Sequence, residues 1–269
     1  MRTAPWLLTA VLGLAACGGE DPVDELADHP EAEQPGEPGS TDPGSAPTGP
    51  IPDPSMWRPV SGVARFEGTP PVRRAFNITE GVCLKHHTGD VLTEDYLIAD
   101  GKVQNVIVFV QRGLPDGMLH PAPDTLFELD QLGCVYDPHV FALRAGQEIL
   151  LANSDDTAHN VRTASVRRNG TVNANVPPMQ RTQKIVFERA EMPVKLVCDI
   201  HPWMSSFFGV FDHPYFVVTG ADGAFALDPL PPGNYVLRAW HEELGRIDQD
   251  VVVTPDGAAA LEFVFKAAK

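Results

Sequence analysis

The feature that most constrains this chain is a punctuated series of short β-branched and aromatic runs with no helical periodicity between them. From Trp57 onward, Val63 to Phe66, Val103 to Val110, Ile149 to Ala152, Lys184 to Phe187, Val194 to Cys198 and Tyr215 to Thr219 have the composition of strands. The turn dipeptides Asp100-Gly101, Asp222-Gly223 and Asp256-Gly257 separate such runs. No stretch keeps a helical apolar period beyond about two turns. Strands at this spacing without intervening helices predict an all-β protein built of antiparallel sandwiches. The 26 prolines and 23 glycines argue against a helical bundle in the same way.

Before these runs the chain has a different character. Arg2, the apolar stretch Trp6 to Leu14 and the small residues after it have the layout of a secretory signal, too short to remain as a membrane span. Its end, Leu14-Ala15-Ala16-Cys17, resembles the lipobox of bacterial lipoproteins. That resemblance implies cleavage after residue 16 and lipidation of Cys17. With Gly18 rather than Asp next, it also implies an outer-membrane destination, facing the periplasm or the cell surface. The alternative is an ordinary signal peptide with an incidental cysteine. Residues 18–56 hold ten acidic side chains, nine prolines, six glycines and no Lys or Arg. Such a segment buries too little apolar surface to offset its ordering entropy, so it is expected to be a disordered, extended acidic tether. It carries most of the net charge of −16. That acidity argues against nucleic acid as a partner and leaves the lipid as the membrane contact.

The C-terminal stretch 213–269 has its own grammar. Asp222-Gly223 leads into Phe225-Ala226-Leu227, and Leu230-Pro231-Pro232-Gly233-Asn234-Tyr235 opens a second run. This resembles the carboxypeptidase regulatory-like, or transthyretin-like, β-sandwich module. Gly62-Val63-Ala64-Arg65-Phe66 within 57–99 resembles the first strand of the same module, which would then be split around an insertion. The family's role is mostly architectural.

The chemistry concentrates in Val194-Lys195-Leu196-Val197-Cys198-Asp199-Ile200-His201-Pro202-Trp203-Met204. Period-two alternation turns Val194, Leu196 and Cys198 to one face, and Pro202 redirects the chain into a tight loop. Such a loop can gather Cys198, His201 and Met204 around one point, a soft thiolate, imidazole and thioether set suited to copper. His159, just past the strand Ile149 to Ala152, offers the second imidazole. These residues resemble the cupredoxins, in particular the amicyanin-like and plastocyanin-like branch: the C-x-x-H-x-x-M loop is present, and His159-Asn160 is the family's upstream pair. The resemblance covers 100–212 and implies a Greek-key sandwich holding one type 1 copper on His159, Cys198, His201 and Met204. It implies that Asn160 ties the two ligand loops together. It also implies that His201 presents its ring edge at an apolar surface, where a redox partner protein would dock. Trp203 stands where Phe is common, and Asp199 where Ser or Thr often sits, next to the thiolate. Zinc accepts the same Cys and His donors and is the chief competing metal.

In an oxidising envelope the remaining cysteines, Cys83 and Cys134, pair as a disulfide, or else join His86 and His139 in a second metal site. His87, His120, His213 and His241 have no clear partners and are expected at the surface or hydrogen-bonded. No phosphate loop, haem-attachment motif, nucleophile elbow or metalloprotease motif occurs, which argues against nucleotide chemistry and hydrolysis. Two functions remain. One is an envelope-anchored electron carrier rather than an enzyme; the other is a copper-storing, copper-delivering or scaffold lipoprotein without redox cycling.

Overall fold

The computed structural model describes residues 51–118 and 120–267. The signal, Cys17 and nearly all of the tether lie outside them. The described chain is all β, with one 3-10 turn at Pro54–Met56 and one four-residue helix, Gly81–Leu84. Its strands form four sheets that enclose two apolar cores.

The first core is covered on one side by five strands in the order Asn173–Val176, His159–Ser165, Glu191–Val197, Ser205–Phe211 and Val140–Arg144. On the other lie Gln180–Val186, Glu148–Asn153, Phe127–Gln131 and Tyr136–Asp137. Leu129, Ile149 and Leu151 from the second sheet meet Phe141, Leu143, Val161, Leu196 and Phe208 from the first, all buried. Phe208 is stacked on Phe141 at 4.7 Å between ring centres and meets Phe187 edge-on at 5.0 Å.

The second core is assembled from both ends of the chain. Arg58–Glu67 pairs antiparallel with Ala224–Leu230 and parallel with Leu261–Lys266, so the first described strand sits inside the C-terminal sheet. Ile107–Arg112 lies between Phe216–Val218 and Gly233–His241, the latter followed by Gly245–Val253. Residues 107–112, placed in the same domain as the Cys198 loop on sequence grounds, thus belong to the C-terminal sheet. The reason is that one face of the strand fills that core, with Val108 and Val110 against Leu237 and Ala239.

Two further expectations are modified. The run Val103 to Val110 is interrupted, because Asn105 takes a left-handed conformation (φ 64°) and divides it into Lys102–Val103 and Ile107–Arg112. The sandwiches are not purely antiparallel: Phe127–Gln131 runs parallel to Glu148–Asn153, and Val140–Arg144 parallel to Ser205–Phe211. In each case the chain crosses between the two facing sheets before it pairs. The turn Asp100-Gly101, by contrast, behaves as its composition predicts. Both residues have positive φ (50° and 69°), the twist that joins Ile98–Ala99 to Lys102–Val103 in a two-residue hairpin.

Between the cores, Ile107, Phe109, Val140 and Phe211 form a small apolar cluster that Trp240 and Phe207 extend. The chain also reaches across in a second place. Between Glu67 and Ile98 it leaves the second core, places Ile78 and Cys83 in the first, and returns. This excursion determines the surroundings of the candidate metal ligands.

Candidate metal centre

Strand Glu191–Val197 buries Val194 and Leu196, and Cys198 follows on the same inward face at 2% exposure. Beyond it the chain closes on itself: Met204 N donates to His201 O (2.9 Å), and Cys198 N donates to Met204 O (3.3 Å). His201 N–H points back at the Cys198 sulfur (3.4 Å). His159 begins the neighbouring strand, whose Arg162 is in register with Val197. Adjacent strand ends therefore deliver an imidazole next to the thiol. The ligating atoms of His159, Cys198 and His201 all lie within 4.8 Å of one another, and all three residues are buried.

The two imidazoles turn the same nitrogen toward one point. His159 Nδ1 and His201 Nδ1 are 2.8 Å apart, and His201 Nδ1 is 3.9 Å from Cys198 Sγ. At their far ends, His159 Nε2–H donates to Asp155 Oδ2 (2.9 Å) and His201 Nε2–H to Glu80 Oε2 (3.3 Å). Carboxylates at both Nε2 positions fix the tautomer that leaves both Nδ1 atoms as lone pairs. Two lone pairs at that separation repel one another unless a cation or a proton lies between them. The donor set of one thiol and two imidazoles thus fits a metal ion. Met204 is buried at 1% exposure in the same apolar cluster as Cys198.

The electrostatics favour the ligating protonation states of Cys198 and His201, and place a proton on His159 that a metal ion would displace. Burial alone would raise the Cys198 thiol, but hydrogen bonding from His159 and from backbone N–H groups around the loop holds it below the usual thiol range. Burial and the neighbouring His159 keep His201 below the usual imidazole range. Burial works the same way on His159, yet its bonds to Asp155 and Cys198 outweigh it and hold that ring above its ordinary value. A cation at the Nδ1 position would take over the role of that proton.

The supporting residues differ in how they act. Asn160 Oδ1 accepts from Asp199 N (2.6 Å), and its Nδ2 donates to Asp199 Oδ2 and Asn173 Oδ1 (both 3.1 Å), linking the strand of His159 to the Cys198 loop. Asp199 points outward and is gripped by Arg162 (2.8 and 2.9 Å), so its charge is compensated on the protein surface. Trp203 Nε1 donates to Cys134 O (2.9 Å), and its ring lies 5.2 Å from that of His201.

Cys83 and Cys134 form a disulfide across 51 residues, with Cα atoms 5.2 Å apart. The alternative second site of Cys83, His86, Cys134 and His139 is not assembled. His86 faces Asp155 (3.5 Å), while His139 is held by Ser205 O (3.0 Å) and by Glu242. The exposed edge implied for His201 is also corrected: the residue is 0% exposed. Glu80 and Cys83, carried in by the excursion between Glu67 and Ile98, cover the side on which it would have opened.

Three groups at the centre were not singled out from the sequence. Asp155 is fully buried and accepts from Gly133 N (2.7 Å) and Cys134 N (2.9 Å) as well as from His159. Burial would raise its carboxyl, but these bonds hold it below the usual range. Its position four residues before His159 was the available signal. Tyr136 donates its hydroxyl to Asn160 O (2.5 Å). Glu80 carried no signal, since a single acid in a loop distant in sequence has no pattern.

No family model matches this chain, and no curated protein matches it. Among solved structures it is similar to a copper-containing nitrite reductase from Thermus scotoductus SA-01 at 19% identity and a TM-score of 0.30, over 38% of this chain and 25% of that one. It is also similar to a purple cupredoxin from Nitrosopumilus maritimus at 21% identity and TM-score 0.27, over 32% of this chain and 99% of that one. A third is amicyanin from Paracoccus versutus, at 16% identity and TM-score 0.28, over 39% of this chain and 97% of that one. The chain spans a quarter of the nitrite reductase's length.

Proposed function

We propose that residues 127–211 form a type 1 copper domain in which His159, Cys198, His201 and Met204 hold one copper ion. Copper so held gains and loses one electron between its two common oxidation states. The observation that favours this reading is the pair of Nδ1 atoms aimed at one point beside a buried thiol, each ring oriented from behind by a carboxylate. The chain's own part is to hold the donors still. The loop from Cys198 to Met204 is closed by its own backbone, Asn160 ties it to the neighbouring strand, and the Phe141, Phe187 and Phe208 stack backs it. Rigid donors make both oxidation states pay the same small reorganisation, which suits an electron carrier rather than a hydrolase or transferase.

The test is spectroscopic. The Cu(II)-loaded protein is expected to show an intense visible thiolate-to-copper band that reductant bleaches and Cys198→Ser abolishes. A colourless wild-type protein, or colour surviving that substitution, would defeat the assignment.

A second reading is favoured by one observation, the complete burial of His201 beneath Glu80 and Cys83. A covered ligand edge suits a copper store or a delivery protein, with zinc as an occasional substitute. A reversible voltammetric wave and fast electron exchange with a small redox protein separate the carrier from the store.

The rest of the proposed organisation surrounds this domain. Residues 58–67, 98–112 and 216–266 form a carboxypeptidase regulatory-like module, split by the metal-binding domain and serving as a scaffold. In keeping with that module's hairpin motif, Tyr235 OH reaches back to Pro231 O (2.7 Å). Lipidation at Cys17 anchors the protein in the cell envelope through the acidic tether, with an envelope redox protein as partner. Cys17→Ser should then release it from membrane fractions.

A further inference from the structure

The disulfide has a chemical position that a structural staple does not need. The Cys83 and Cys134 sulfurs and a ring nitrogen of His201 all lie within 4.8 Å of one another, and all three residues are 0% exposed. Cys134 also falls within the same distance of Asp155 and His159. We infer that Cys83, Cys134 and His201 constitute a second soft-metal site for copper(I), closed while the bridge is oxidised and opened by its reduction.

The geometry that would keep this site in place does not depend on the covalent link. The turn at Cys134 is held by the Asp155 carboxylate, which accepts from Gly133 N and Cys134 N at 2.7 and 2.9 Å. Trp203 caps the Cys134 carbonyl at 2.9 Å. On the opposite side, the short helix Gly81–Leu84 is secured by Ile78 and Val82 in the apolar core, by Lys85 paired with Asp156, and by His87 Nε2 donating to Gly133 O at 2.8 Å. Opening the bridge thus leaves two thiols facing each other in a buried, apolar surrounding beside an imidazole. That is a donor set for a soft closed-shell cation.

The chemistry balances simply. A dithiol reductant passes two electrons and two protons to the Cys83–Cys134 bond and leaves as its own disulfide. The two thiols then release their protons as copper(I) binds the thiolates. His201 belongs to both donor sets, so the state of the bridge decides which sulfurs it serves. The new site stands whether or not the Cys198 site cycles electrons.

The experiment uses Cys198→Ser full-length protein, in which the first site has lost its thiolate. Copper(I) is offered against a chromophoric chelator to the oxidised and to the dithiol-reduced forms, with circular dichroism recorded on both. The expected result is about one copper(I) equivalent withheld from the chelator by the reduced form and essentially none by the oxidised form. The same reduced protein carrying Cys83→Ala and Cys134→Ala should withhold none. Equal retention in both redox states, or retention by the triple variant, would overturn the proposal. Loss of the β signal on reduction would do so as well, because the site requires the bridge to open within a folded chain. The visible band of oxidised wild-type protein reports on the first site separately, so the two readings fail independently.

Discussion

Replacing Cys83 and Cys134 together by alanine isolates the contribution of the bridge to stability. Both residues are buried at 0% exposure, so alanine keeps the surroundings apolar where serine would bury two new hydroxyls. The bridge closes a loop of 51 residues. In the chain-entropy description, a loop of that length removes about 14 cal/mol/K from the unfolded ensemble, or about 4 kcal/mol at 25 °C. For a chain of this size that corresponds to a fall in Tm of about 8–16 °C. Urea unfolding followed by tryptophan fluorescence provides the measurement, with reduced wild-type protein as an independent route to the same state. The expected outcome is a lower midpoint, by a similar amount for both, with a slope that rises, since the unfolded chain freed of its crosslink expands and exposes more surface. A loss below about 1 kcal/mol would refute the reasoning, because the excursion between Glu67 and Ile98 would then be held by its noncovalent contacts alone. The result also bears on the copper(I) site, which needs a protein that tolerates losing this much.

Three other outcomes follow from the same contacts. The His213 ring is held neutral, with Nε2–H donating to Val110 O (3.0 Å) and Nδ1 accepting from Tyr215 N (3.2 Å); burial pushes it down to about 4 against the opposing pull of Asp212. An unfolded His titrates near 6.5, so as pH falls the unfolded chain takes up the proton first. Stability intact above about pH 6.5 should decline toward pH 4 by about 3 kcal/mol from this residue, and urea midpoints of His213→Gln should lack that share. Asp155→Asn removes the charge that orients His159 and should lower metal affinity about 10- to 100-fold in a chelator competition, while an unchanged affinity would show that the ring is positioned by packing alone. Phe208→Ala, at the centre of the aromatic stack and fully buried, should cost about 3–5 kcal/mol in urea unfolding, with a small loss indicating that the core collapses into the space.

What was legible in the sequence was local. The loop from Cys198 to Met204 closes on itself within a few residues, so spacing, alternation and Pro202 were enough to place the thiol inward and the His201 imidazole beside it. The Asp100-Gly101 hairpin was readable for the same reason, since two adjacent residues supply the whole conformational requirement. The strand pattern from Trp57 onward determined an all-β chain, because period-two burial is written residue by residue.

Tertiary structure decided whatever depends on which distant segments become neighbours. Arg58–Glu67 could have paired at many edges, and only the folded chain shows it between Ala224–Leu230 and Leu261–Lys266. The carboxylates that orient the two imidazoles come from one position near His159 and one 121 residues from His201. The burial of His201 and the closeness of the disulfide to it have the same origin, an excursion from one core into the other. Strand pairing and burial are non-local, set by the packing of whole sheets rather than by the residues beside each site, and composition alone does not encode them.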